Sequence, residues 1–243
     1  MLKLSDSRNF GRTFAGLSLI VSSILFLVGT ALDPAWADDS VEYLDEVAAD
    51  KGLYALSGIL SLVGALLLIP GLLGVIHLLR SRRVTLGQIG AGLVIIGAVA
   101  IAGSYVINVF EILATDEQYD RAQMAELFDD TEESAEAIPF FVMFVCGLVL
   151  GSILLAIGLW RQRAVPVWIP ILLVLGNLAA FVGGEGQAAG LISSVILAAA
   201  LIPLGLRILS VSDDDWERWE VLPAGERQQV PAAERPEAPP PTS

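Results

Sequence analysis

Four side chains stand inside or at the ends of long apolar stretches and could move a proton or hold an ion or solute: His77, Asn108, Glu111 and Asn177. Ionisable groups are costly within a membrane and commonly mark ion or proton pathways. A lone amide there either bonds a neighbouring helix or touches a substrate. His77 lies just before Arg80, which puts it at headgroup level, and Glu111 falls in the last turn of an overlong stretch. Asn177 is nearest a midplane and is expected to bond a hydroxyl or backbone carbonyl on a neighbouring helix. Gln88, Ser104 and Tyr105 are further uncharged candidates. His77 has no second metal ligand nearby and no nucleophile pairs with a base, so no catalytic, cofactor-binding or metal-binding residue is assigned and no cofactor is expected.

The elements that must position these residues follow from length. A helix rises about 1.5 Å per residue and needs roughly 20 apolar residues to cross a hydrocarbon core of about 30 Å. Six stretches qualify: residues 13–32, 53–79, 86–114, 138–160, 167–182 and 188–209. The fifth is short. The expected fold is an all-α membrane protein, a six-transmembrane-helix bundle with both termini cytoplasmic and short amphipathic helices in two acidic outer loops.

Orientation comes from Lys and Arg, which are retained on the cytoplasmic side in short loops. Twelve of the 14 basic residues fall on one side of the six stretches, and only Lys51 and Arg121 fall on the other. That asymmetry divides the chain into a cytoplasmic N-terminus (1–12), a transmembrane domain (13–210) and a cytoplasmic tail (211–243). The net charge of −13 sits mainly in the outer loops and the tail. A negative outer face argues against nucleic acid and anionic headgroups there, and no calcium-loop spacing is present. The lipid bilayer is the one partner the composition requires. The acidic loops and the tail are the surfaces open to a protein partner.

Residues 1–37 have a basic start, an apolar run and Ala35-Trp36-Ala37, which resembles a cleavage site. The apolar run is longer than a signal peptide's and Asp33-Pro34 interrupts the approach to the site, so an uncleaved span is expected. In the first outer loop Asp39 and Glu42 form a capping pattern ahead of Val41, Leu44, Val47 and Ala48, with Gly52 as the stop. In the second, Thr115 and Gln118 repeat the pattern before a Met124, Leu127, Phe128 stripe. Trp216 and Trp219 suit headgroup anchoring, and the Pro-rich stretch from about Pro223 onward is expected to be disordered. Cys146, the single cysteine, is expected to pack inside its span. Gly147 with Gly151, Gly87 with Ala91 and Ser57 with Ser61 are small-residue pairs that let helices approach closely.

Over roughly residues 8–210 the chain resembles the uncharacterised small bacterial integral membrane proteins with six transmembrane helices. The resemblance is carried by Arg12-Thr13-Phe14-Ala15-Gly16-Leu17, by Tyr43-Leu44 followed by Val47-Ala48-Ala49, and by Leu68-Ile69 through Arg80 with Pro70 and Gly74. It implies a helical fold and a bacterial inner-membrane location, and brings no functional residues with it. The function expected is a non-enzymatic scaffold, sensor or accessory subunit. The alternative is a small transporter or channel with a polar path near Asn177, Asn108 and Glu111.

Overall fold

The computed structural model describes residues 7–79, 85–182, 186–212 and 215–216. The arginine-rich turn at 80–83 and the Pro-rich tail lie outside them. Among the described residues every regular element is helical. Five helical stretches are long and apolar enough to cross a membrane: Phe10–Leu32, Lys51–Leu78, Thr85–Ala114, Ile138–Gln162 and Gln187–Leu209. A shorter apolar helix covers Trp168–Phe181. The outside is apolar too, with Leu73, Val106, Phe110, Phe141 and Val195 all exposed. A helix apolar on every face has a hydrocarbon solvent on its outer side. The chain is a multi-pass helical membrane protein.

The elements are α1 (Ser7–Leu32), α2 (Ser40–Ala49), α3 (Lys51–Leu78), α4 (Thr85–Ala114), α5 (Arg121–Glu133), α6 (Ile138–Val145), α7 (Gly151–Gln162), α8 (Trp168–Val182) and α9 (Gln187–Leu209). A π-helical segment, Cys146–Leu150, joins α6 to α7 without a break. Helix α1 packs on α3, α3 on α4, α4 on α7, α7 on α8, α8 on α9, and α9 returns to α1. This is a closed ring of long segments. Helices α2 and α5 cap one end of it, called here the lid end.

Glycine sets how closely the ring is drawn together. A Cβ added at Gly90 would stand 2.2 Å from the Leu155 backbone nitrogen, and one at Gly158 would stand 2.3 Å from Gly87 Cα. A Cβ at Gly147 would stand 2.6 Å from Gly97 N, and one at Gly151 2.8 Å from Val94 N. Of the small residues expected on α4 and its partner, Gly87 meets Gly158 and Gly147 meets Gly97. At the end opposite the lids, Leu19, Val75, Leu79, Leu159, Leu204 and Ile208 are fully buried in one cluster. Gln162 donates to the last carbonyl of that region, Leu79 O, at 2.7 Å, satisfying an acceptor that a helix end leaves orphaned.

At the lid end Asp39 caps α2, accepting from the Val41 and Glu42 N–H groups. Helix α2 stops at Ala49 rather than at Gly52. Asp50 ends it and caps α3 in the same step, accepting from Leu53 N–H, with φ −145° and ψ 67°. The cap of α5 is Asp120, which accepts from Gln123 N–H. The capping pattern expected at Thr115 is not used, because the Thr115 hydroxyl donates back to Ile112 O at 2.7 Å and ties itself to the last turn of α4. The apolar side of α5 is Met124, Ala125 and Phe128, packed with Leu44 and Ala114. Leu127 points away and is exposed. Lys51 pairs with Asp116 at 2.9 Å and Arg121 with Asp45 at 3.2 Å. Cys146 is exposed on the outside of the ring rather than packed within it, because the π-helical turn directs Gly147 and Leu148 inward instead.

Candidate functional site

The ring closes around a cavity of about 400 Å³. Its deep walls are apolar, among them Leu68, Leu72, Leu148 and Leu201. The polar lining comes from five of the six ring segments: Ser23, Thr30 and Asp33 from α1 and its end, Ser57 and Ser61 from α3, Ser104 and Asn108 from α4, Asn177 from α8, and Ser193 and Ser194 from α9. Ser23 and Asp33 are ten residues apart, so the polar wall of α1 runs about 15 Å along the axis. A mostly apolar hollow with a few convergent polar groups is the usual form of a small-molecule site.

Asn177 is buried, with 7% of its surface exposed. Its amide N–H donates to Leu173 O at 2.9 Å, a bond within its own helix and not the interhelical bond expected. A backbone carbonyl only accepts, so the NH₂ faces Leu173 and the side-chain oxygen is left clear of that bond, on a residue that lines the cavity. That oxygen has no hydrogen-bond partner among the described residues, and it is not sealed from the hollow.

Asn108 lines the same cavity and leads to a second cluster. Its NH₂ donates to Tyr54 Oη at 2.6 Å and lies 3.5 Å from Glu111 Oε2. Tyr54 spends its one proton on Glu111 Oε2. The bond of 2.8 Å between the Tyr43 and Tyr54 hydroxyls must therefore be donated by Tyr43. Glu111 thus stands behind Asn108 as an acceptor for the fully buried Tyr54, and is not itself part of the cavity wall. The cluster reaches α2 through Tyr43, so the lid and the cavity wall share one hydrogen-bonded unit.

Asp33 and Trp36 escaped the sequence reading as site residues. They follow the end of α1, at the lid end of the cavity. Asp33 Oδ1 accepts from Ala35 N–H at 3.2 Å. Burial pushes its carboxyl above the usual carboxylate range, with nearby Glu46 adding to the rise, while the Ala35 N–H and the Ser57 side chain pull the other way. The Trp36 indole N–H donates to Asp33 O at 2.9 Å, and Glu46 Oε2 accepts from the Trp36 and Ala37 N–H groups at 2.6 and 2.9 Å. The indole lies against the Gly190 backbone. The sequence signal was the Asp33-Pro34 pair directly after an apolar span.

His77 is far from this cavity, in the last turn of α3. Its Nε2 lies 2.9 Å from Trp216 O, and the two rings are 3.8 Å apart between centroids. Trp216 therefore packs on the ring's far end, and Trp219 lies outside the described residues. Among the described residues no three His, Cys, Asp or Glu side chains are grouped to hold a metal.

No curated protein and no solved structure matches the chain. The family model described as a domain of unknown function (DUF4386) matches residues 14–212, from Phe14 of α1 to just beyond the end of α9, and the chain belongs to that family.

Proposed function

We propose that this chain is a non-enzymatic membrane protein that binds a small organic molecule inside its helical ring, as a sensor or accessory subunit does. In this reading all six ring segments cross the bacterial cytoplasmic membrane. Residues 1–12 and 211–243 are cytoplasmic, and the lids face outward, in line with the arginine distribution. The first span stays uncleaved, because Asp33 and Trp36 of the cavity precede Ala37. The lids and the tail are the surfaces left for a protein partner.

The observation that carries the reading is the side-chain oxygen of Asn177, a residue only 7% exposed: the oxygen has no partner among the described residues and is not sealed off. An acceptor left open to a mostly apolar hollow is one that a ligand N–H can satisfy, which a packing role does not call for. The test is equilibrium binding of 1-octanol to the full chain in lipid nanodiscs, with empty discs subtracted. Saturable binding that Ser104→Phe removes by filling the cavity supports the reading. Binding that is not saturable, or that ignores Ser104→Phe, refutes it.

Transport is a second reading, favoured by Asn108 and Asn177 lining one cavity. It requires the packed cluster of Leu19, Val75 and Leu159 to open. An ion or solute flux in reconstituted vesicles, abolished by Asn177→Leu at unchanged folded yield, would put transport first.

A further inference from the structure

Most polar groups that line the cavity are bonded to the protein itself. Ser23, Ser57 and Ser104 donate to carbonyls of their own helices, Ile20 O, Tyr54 O and Ile101 O. Ser193 donates to Gly176 O, and Thr30 and Ser194 bond each other at 3.0 Å. The Asn108 NH₂ donates to Tyr54 with Glu111 Oε2 3.5 Å away, one N–H of Asn177 is committed to Leu173, and the Trp36 indole N–H to Asp33 O. Open to the hollow are the Ser61 hydroxyl, the spare proton of the Thr30–Ser194 pair, the Asn177 carbonyl oxygen and, at the lid end, the Asp33 carboxyl, and of these only Asp33 can carry a charge.

Charge sets the class of ligand. Asp33 is the one ionisable residue among those lining the cavity, and neither Lys nor Arg joins it. The nearby cations of the lid end, Lys51 and Arg121, are paired with Asp116 and Asp45. Asp33 directly follows the C-terminus of α1, where the helix dipole also favours positive charge. Beside it stands Trp36, its indole fixed by its own bonds, and an indole face attracts a cation. Beyond these groups the walls are Phe26, Phe144, Leu148 and Leu197, suited to a chain or ring with no polar atoms.

We propose that the cavity takes an amphiphilic organic cation, a protonated amine carried on an apolar body, with its ammonium at Asp33 and Trp36 and its body between the deep walls. The proposal rests on the reading of the ring as a binding site and adds the class of ligand.

Octylammonium, 1-octanol and octyl sulfate separate the two readings when each is titrated against the full chain in phosphatidylcholine nanodiscs, with empty discs subtracted. Octylammonium should bind about tenfold more tightly than octanol, the scale of one charge-assisted bond with a cation–π contact. Octyl sulfate should not saturate. Asp33→Asn should bring octylammonium down to the octanol value and leave octanol unchanged, while Asp33→Glu should keep the preference. Equal affinities for octanol and octylammonium, a preference for the sulfate, or an Asp33→Asn protein that still prefers the ammonium would overturn the cationic ligand while leaving the binding cavity standing. If none of the three saturates, both readings fall together.

Discussion

Asp33 illustrates what a single residue at this site does to stability. Its carboxyl lies above the ordinary carboxylate range, first because of burial and then because Glu46 is near. For an acid raised on folding, the stability it contributes is fully present below its unfolded pKa and lost as pH climbs through the folded value. Ionised Asp33 is thus a cost at neutral pH. Asp33→Asn keeps an oxygen for Ala35 N–H and should melt at a higher temperature than the native protein at about pH 7. The gap should close as pH falls toward the unperturbed value of about 3.9. Glu46 is common to both proteins and cancels from the difference to first order. A melting curve that Asp33→Asn leaves unchanged across that range would contradict the burial argument. Tyr54 works the other way. Its hydroxyl is the hub for Glu111, Asn108 and Tyr43, so Tyr54→Phe should cost about 1–2 kcal/mol by leaving those groups short of a partner. Glu111→Gln should cost less, because an amide oxygen still accepts from Tyr54.

At the scale of elements, the α4–α7 crossing is set by absent side chains. Gly90→Ala places a methyl carbon on the Leu155 backbone, whereas nothing lies within 4 Å of a Cβ at Gly92. Gly90→Ala should therefore sharply lower folded yield in size-exclusion profiles while Gly92→Ala leaves it unchanged. Equal yields would mean that α4 and α7 shift apart freely. Helix positions were legible in the sequence because hydrocarbon demands long apolar runs: the stretch read at 188–209 is found at Gln187–Leu209, and that at 86–114 at Thr85–Ala114. Which faces meet was not legible. Hydropathy is nearly uniform around such helices, so the ring order, the cavity and its donor balance depend on contacts that no local pattern encodes. Asn177 and Asn108 stood out as amides in apolar sequence. Asp33 did not, since it read as one more acid in an acidic loop, and the hydroxyls of Ser57 and Ser61 read as small residues.

For the molecule as a whole, the threading through the bilayer is the prediction to check. In a Cys146→Ser background, an impermeant thiol reagent applied to intact cells should modify a cysteine placed at Asp45 and spare one placed at Ser81. Labelling at Ser81 would reverse the orientation, and an intact mass lacking residues 1–37 would remove the first span. The placement of Asp50 has a mechanical consequence. One residue between two helices offers only two soft torsion angles, so α2 is a flap on a corner rather than a segment on a tether. Glu46 of that flap grips the Trp36 and Ala37 N–H groups. Any swing about Asp50 that keeps those bonds therefore carries Trp36 with it, and door and wall turn as one piece.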